Sequence, residues 1–303
     1  MKKLIVVTVS YNTSEDTKAF LKALEKVHTP NFSLETIVVD NGSEKVFALD
    51  HTYKNLKIIR LETNTGFTGG YNIGIKKALE RGADYLLIVN NDTIMDQDLC
   101  KNLIAVLESD MQIGVAAPKI YFAKGNEFHK DRYKTEELGK VFWYAGGSID
   151  WANVQSIHRG VDEVDHGQYD NTEQVDFVTG CCMMIKREVL EKVGFFDERY
   201  FLYYEDADLN VRIKRAGYKL SYVPDAKLWH VNAASSGSGS SLHDYFLTRN
   251  QMLFGMSYAP LRSKIALLKQ SVRFLLNGRP KQKQGIRDFY LGKFGKGTFF
   301  EKK

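Results

Sequence analysis

Apolar positions along the first 120 residues alternate between strand and helix periods. Leu4–Ser10 (LIVVTVS) is a continuous run rich in β-branched residues, as a buried strand requires. The following TSEDTKAFLKALEKV places Phe20, Ala23, Leu24 and Val27 on one helical face, behind a Ser14 cap with Glu15 and Asp16 in the first turn. Thr36–Ser43 and Leu56–Glu62 read as a second and a third strand, 70–81 as a helix, and Tyr85–Asp92 as a fourth strand. Asp98–Glu108 is a further helix and GVAAPKIYF a further strand. This alternation predicts an α/β fold with a mostly parallel central sheet flanked by helices. Ligands bind such sheets beyond the C-terminal ends of the strands. The polar clusters Ser10–Asn12, Asp40–Ser43 and Asn90–Asp92 are therefore expected to converge.

Residues 121–174 are polar and irregular, with scattered aromatics (Phe142, Trp143, Tyr144, Trp151), and predict a loop-rich segment or an antiparallel insertion. Order returns at Val175–Ile185 and the short helix REVLEKVG. A helix from about Glu205 to Ala216 follows, closed by Gly217. Tyr218–Val223 and Lys227–Val231 are strand-like, and Ser235–Ser241 is flexible by composition. Leu261–Leu276 carries Leu261, Ile265, Leu268, Val272 and Leu275 on one face and Arg262, Lys269 and Arg273 near the other, a basic amphipathic helix.

Composition narrows the class. With 303 residues, 44% hydrophobic and 26% charged, the chain is an ordinary globular protein of one large or two small domains. Only three cysteines occur, Cys100, Cys181 and Cys182, and no CxxC pair. A zinc cluster and a disulfide framework are thus disfavoured, and a reducing, cytoplasmic compartment is expected. MKKLIVVTVSYN reads as a first strand rather than a signal peptide, and no apolar run reaches the 18 or so residues of a membrane span. The net charge of +5 is unevenly placed: residues 244–303 hold 13 Lys+Arg and 3 Asp+Glu, residues 1–243 hold 29 and 34. A weakly acidic body carries a strongly basic extension.

Several polar clusters could carry chemistry. Asn90-Asn91-Asp92 ends a hydrophobic strand, where a carboxylate suits a hard divalent cation, although Asn and Asp also favour turns. Asp40-Asn41-Gly42-Ser43 is the same kind of object one strand earlier, able to bond a base or ribose. Asn64–Asn72 (NTGFTGGYN) is a glycine-rich loop opening a helix, suited to anions or simply a flexible connection. Glu205-Asp206-Ala207-Asp208 sets three carboxylates at a helix start. Dipole stabilisation explains one or two of them, and general-base chemistry is the natural use of the rest. His230 closes a strand as a candidate metal or phosphate ligand. No GxGxxG follows the first strand and no GxxxxGK[ST] occurs, which disfavours dinucleotide and Walker-type binding.

In order, VTVSYN, VVDNGS, NTGFTGGYNIGI, LLIVNNDT, DFVTGCCMMI, GFFDERYFLYYEDADLNVRIKRAGY and VPDAKLWHVNAASSG resemble the family-2 inverting glycosyltransferases with the GT-A nucleotide-sugar-binding fold. The likeness is greatest to rhamnosyltransferase-type members that build bacterial surface polysaccharides. It implies a GT-A domain over 1–243, with a nucleotide-binding half (1–120) and an acceptor and catalytic half (121–243). The basic helical extension would occupy 244–303. Ser10, Tyr11, Asp40, Asn64, Gly66, Asn72, Asn90 and Asn91 would lie against the nucleotide or its phosphates. Asp92 and His230 would bind Mg²⁺ or Mn²⁺. Asp206 would be the base that deprotonates the acceptor hydroxyl, with Glu205 and Asp208 orienting it or the acceptor. The metal motif of the family is often Asp-x-Asp, and here its first position is Asn90, one anionic ligand fewer. The implied partners are a dTDP- or UDP-linked hexose donor, rhamnose among the candidates, and a glycan or lipid-linked acceptor.

Two other classes fit less well. A sugar-nucleotide pyrophosphorylase wants a glycine-rich, basic loop after the first strand, and SYNTSED has neither feature. A non-catalytic sugar-nucleotide-binding subunit would be expected to have lost some of Asp40, Asp92, Asp206 or His230, and all are present. The cations of the extension alternate with Leu, Ile, Val and Phe, which fits an anionic membrane surface on the inner face of the cell membrane, or homo-oligomerisation through the C-terminal helices, better than nucleic acid.

Overall fold

The computed structural model describes residues 1–49, 52–231 and 240–301. Strand β1 (Lys2–Ser10) lies inside the sheet because Leu4, Ile5, Val6 and Val7 leave both of its faces apolar and fully buried. It leads into α1 (Ser14–Leu24), β2 (Phe32–Asp40), β3 (Leu56–Arg60) and α2 (Gly66–Glu80). Next come β4 (Tyr85–Val89), the short β5 (Thr93–Met95), α3 (Leu99–Ser109) and β6 (Ile113–Phe122). β1 pairs in parallel with β2 and β4, and β2 with β3, so the expected alternation is present. Two local details differ. Thr13 rather than Ser14 stands at the N-cap of α1, with its hydroxyl turned to Asn91. α2 starts at Gly66 because the glycine-rich stretch is itself helical, and Gly70 and Gly74 let it lie against Val9 and Val7.

The remaining elements are β7 (Phe142–Tyr144), β8 (Gly147–Asp150), β9 (Gln155–His158), β10 (Glu173–Val175), β11 (Cys182–Lys186), α4 (Arg187–Val193) and α5 (Glu205–Arg215). They are followed by β12 (Lys219–His230), α6 (Ser241–Tyr258), α7 (Leu261–Asn277) and α8 (Pro280–Tyr290). The main sheet runs β10-β12-β6-β11-β4-β1-β2-β3, with β5 on β12, β7 on β6, and β8-β9 as a separate hairpin. β11 is antiparallel to both β4 and β6, so it joins two parallel blocks whose strands end at the same edge. The two strand-like runs after Gly217 form one strand, β12, whose register shifts between Val223 and Lys227.

Residues 121–174 form antiparallel pieces rather than α/β units. Lys119, 2% exposed, pins them to the sheet through Asp165 (2.9 Å) and Asp170; a cation buried this far needs such partners. The Gly/Ser stretch read as flexible lies, over 235–239, outside the described residues. Beyond it, α6 is built into the body, with Tyr245, Phe246, Arg249, Asn250 and Phe254 fully buried. α7 touches the body through Ser263, Leu267 and Ser271, which are buried, and through Phe274 and the half-buried Leu275. Leu275, expected on the outer stripe, lies next to the inward face and packs against the core. No helix among the described residues is long and apolar enough to cross a membrane.

This contrast has a measurable consequence. Phe254→Ala, which removes a ring stacked on Trp151 at 5.6 Å, should cost about 3–5 kcal/mol. Leu268→Ala on the exposed side of α7 should change stability by no more than about 0.5 kcal/mol. Denaturant titration of both variants checks this; equal losses would contradict the assignment of α6 to the body.

Candidate active site

The C-terminal ends of β1, β2, β4 and β12 bring most of the expected residues to one edge. β5 pairs antiparallel with β12, setting His230 opposite Thr93, and Val231 N–H donates to the Asp92 carbonyl at 2.8 Å. The two side chains meet as a result: His230 Nε2 lies 3.3 Å from Asp92 Oδ1, both nearly buried. Asp92 Oδ1 and His230 Nδ1 have no hydrogen-bond partner. Buried, unsatisfied polar atoms are costly, and a site of this kind fits a cation. The carboxylate and imidazole are donors that Mg²⁺ or Mn²⁺ accepts, and the 3.3 Å separation is close to that of neighbouring ligands on one ion with bonds of about 2.1 Å. Among the described residues no three or more His, Cys, Asp or Glu side chains are grouped so as to hold a metal ion, so the protein alone would leave an ion with open positions.

A cavity of about 350 Å³ is lined by Ser156, His158, Phe177, Tyr204, Glu205, Asp206 and Leu247 among others. Asp206 is held at the start of α5: its Oδ2 accepts from Gly180 N–H at 2.9 Å and its Oδ1 from Ala207 N–H at 2.8 Å. Burial raises its pKa while these backbone donors oppose the rise. Glu205 is driven further up, by burial and by the Asp206 charge, and its Oε2 is buried without a hydrogen-bond partner. Glu205 therefore keeps the proton of the pair and Asp206 ionises first. The Asp92–His230 edge and the carboxylate pair are connected through consecutive residues: Gly180 N–H bonds Asp206, and the Cys181 carbonyl accepts from Asn90 N–H at 2.9 Å.

Other expected residues have different work. Asp208 does not join the cavity: its carboxylate is taken by Arg212 (2.8 Å) and Tyr258 (2.7 Å), tying α5 to α6. The Asn72 amide brackets the backbone of Phe196 with bonds of 2.8 and 3.0 Å. Asn91 turns inward beneath α1, onto Thr13 and Thr17 at 2.7 Å each, and Ser10 is buried with Thr17. Asn64 caps its own turn at Gly66 N–H (2.8 Å) and receives the Asn41 amide. Gly66 is needed for space: its φ is +78°, and a Cβ there would lie 2.5 Å from Phe201. Asn90 accepts from Tyr71 at 3.3 Å. Asp40 is buried, and burial alone would raise its pKa. Hydrogen bonds from Ser43 and the Arg60 charge reverse that and lower it, fixing a carboxylate at the end of β2. Tyr11, 44% exposed, stands at the end of β1. Burial pushes the Cys100 thiol up to about 12 and raises Cys181 and Cys182 too, so all three behave as packed apolar groups.

Sequence reasoning missed two parts of the site. His158 comes from the irregular insertion, where no local signal marks it. Its Nδ1 faces the Trp143 carbonyl at 3.3 Å, and burial pushes its pKa down to about 4, so it is a neutral imidazole on the cavity wall. Trp143 stands edge-on to both His158 (4.6 Å) and His230 (4.8 Å), linking the cavity to the Asp92–His230 edge. The second part is α6. Phe201, Tyr203 and Tyr204 have φ of 66°, 70° and 71°, left-handed values that cost side-chain-bearing residues energy. Asn250 Nδ2 lies at 2.8, 2.8 and 2.9 Å from the carbonyls of Tyr200, Leu202 and Tyr203, and Arg249 Nη2 bonds the Tyr200 carbonyl at 3.0 Å. These amide and guanidinium donors hold the segment that presents Glu205 and Asp206.

Two parallel blocks joined by the antiparallel β11 and flanked by helices form a mixed α/β sheet of the GT-A type, the fold of the solved glycosyltransferase structures it resembles. The chain belongs to glycosyl transferase family 2, whose family model matches residues 5–194. It is 27% identical over 213 residues to the low-salt glycan biosynthesis hexosyltransferase Agl10 of Haloferax volcanii, a match covering 70% of this chain and 62% of that protein. It is 24% identical over 250 residues to the N-acetylglucosaminyl-diphospho-decaprenol L-rhamnosyltransferase of Mycobacterium tuberculosis, covering 79% and 80%. The structure of GalNAc-T7 with UDP, GalNAc and Mn²⁺ shares the fold, with a TM-score of 0.60 at 16% identity over 91% of this chain and 57% of that one.

Two outcomes test the local physics. Asn250→Ala, which strips donors from buried carbonyls, should destabilise the protein by about 1–3 kcal/mol in urea titration; wild-type stability would contradict the clamp. Glu205 has a folded pKa above its ordinary 4.5, so its contribution to stability is complete below pH 4.5 and fades as pH rises through the folded value. Glu205→Gln should therefore gain stability relative to wild type as pH rises above 4.5; a pH-independent difference would contradict the raised pKa.

Proposed function

We propose that the protein is a metal-dependent inverting glycosyltransferase that moves a hexose from a nucleoside-diphosphate sugar to a glycan or lipid-linked acceptor in surface polysaccharide synthesis. The observation that carries this reading is Asp206: a carboxylate with raised pKa, each oxygen fixed by a backbone N–H, lining a cavity that Trp143 and Gly180–Cys181 connect to the Asp92–His230 edge. The family membership and the sugar-transferring relatives support it.

In this mechanism Tyr11 and Asp40 hold the base and ribose at the ends of β1 and β2. Asp92 and His230 would hold Mg²⁺ or Mn²⁺, which supplies charge neutralisation for the departing diphosphate. The acceptor lies in the cavity against Phe177 and Tyr204, where protonated Glu205 and neutral His158 bond its hydroxyls. Asp206 takes the proton from the attacking hydroxyl as its oxygen forms the bond to the anomeric carbon and the nucleoside diphosphate leaves from the opposite side. A single displacement inverts the anomeric centre and requires no protein nucleophile. The donor is dTDP- or UDP-linked, and rhamnose is the hexose favoured by the mycobacterial relative. The acceptor is reached from the cytoplasmic side of the membrane.

Asp206→Asn should lower kcat by about 10²–10⁴-fold while leaving donor affinity, measured calorimetrically, within about twofold. Turnover at the wild-type rate would remove Asp206 as base, and binding without turnover in the wild type would favour a non-catalytic sugar-nucleotide-binding subunit. Because the Asp206 pKa is raised, kcat/KM should fall on acidification at a pH above the ordinary carboxylate range. Excess EDTA, or Asp92→Ala, should abolish transfer; full activity in EDTA would exclude the ion.

A further inference from the structure

We propose that the outward face of α7 is a docking surface for an anionic lipid bilayer, on which the helix lies in the plane of the headgroups. α7 has two apolar faces and uses only one of them for folding. Leu267, with Ser263, Ser271, Phe274 and Leu275, turns toward the body, and Leu267 sits over Gly255 of α6, where only a hydrogen fits. The other face carries Leu261, Ile265, Leu268, Val272 and Leu276, which are 73%, 46%, 39%, 54% and 68% exposed. Their spacing aligns them along 17 residues of helix, a continuous apolar stripe open to water.

The charges beside the stripe identify its occupant. α7 contains Arg262, Lys264, Lys269 and Arg273 and no acidic residue. At 100° per residue Arg262, Lys269 and Arg273 flank the stripe on one side and Lys264 on the other. Lys283 of α8 adds a cation at its end, its Nζ 2.8 Å from the Leu276 carbonyl. A second copy of this face would bring like charges together across the apolar contact. Headgroup phosphates complement them while the stripe enters the acyl boundary and the Lys and Arg stems extend outward. A helix with four charges in 17 residues lies on a membrane rather than across it. The basic extension thus divides by role: α6 is structural, and α7 carries the membrane contact. α7 rests on α6, whose Asn250 and Leu247 serve the acceptor loop and cavity, so docking would set the site near the surface that holds a lipid-linked acceptor.

Sedimentation of the full chain with phosphatidylglycerol-containing vesicles and with pure phosphatidylcholine vesicles tests this. Wild type should partition to the anionic vesicles at low salt and be released by high salt. Ile265→Glu/Val272→Glu should bind at least tenfold more weakly, with unchanged thermal midpoint because both positions are exposed. Arg262→Gln/Lys269→Gln/Arg273→Gln should lose about 100-fold, given roughly fivefold (about 1 kcal/mol) per cation near such a surface. Wild type that ignores anionic vesicles, or variants that bind equally well, would overturn the proposal. So would a dimer in sedimentation equilibrium that Ile265→Glu/Val272→Glu dissociates, which would make a second copy the occupant. Vesicle binding is read without turnover, so its failure is distinct from failure of the proposed glycosyl transfer.

Discussion

The site depends on a backbone that would not adopt its shape unaided. Three residues just before α5 sit in the left-handed region, each costing on the order of 1–3 kcal/mol. They persist because α6 covers them with donors: the amide of Asn250 and the guanidinium of Arg249 satisfy carbonyls that would otherwise be buried and orphaned. The turn they enforce aims the first residues of α5 into the cavity. With this turn relaxed, Asp206 would lose its bond from Gly180 and its position beside the strand ends.

Electrostatics then divides the labour among like residues. Glu205, Asp206 and Asp208 are neighbours in sequence, yet their surroundings separate them. Asp208 is neutralised by Arg212 and the Tyr258 hydroxyl, and it anchors helices. Glu205, buried and unpaired, keeps a proton. Asp206 has two backbone donors and stays the ionisable member, able to take a proton from an acceptor. The same logic operates at the strand ends, where Asp40 is compensated by Arg60 while Asp92 and His230 face one another with unsatisfied atoms.

Much of this was legible from hydrophobic patterning. The β-branched runs of β1, β2 and β4 can only be buried strands, and their polar ends mark the ligand edge. Residues within a polar cluster were harder to sort. Asn91 and Asp92 are adjacent, but one turns under α1 and the other faces the edge, because consecutive side chains at a strand end point to opposite sides. Asn72 and Gly66 carry a phosphate-loop signature yet serve packing against Phe196 and Phe201. α6 was invisible to periodicity because its buried positions include Asp244, Thr248, Arg249, Asn250 and Gln251, polar groups satisfied by tertiary partners. His158 depended on the folding of an insertion with no regular pattern.

The central claim is a one-step displacement with Asp206 as the base. Proton NMR of the first product formed from an anomerically defined nucleotide sugar tests it most directly, through the anomeric coupling constant and any crossover on standing. The account predicts a product whose anomeric configuration is inverted relative to the donor. Retention would require a covalent or front-face route that Asp206 and its surroundings do not provide, and would contradict the account.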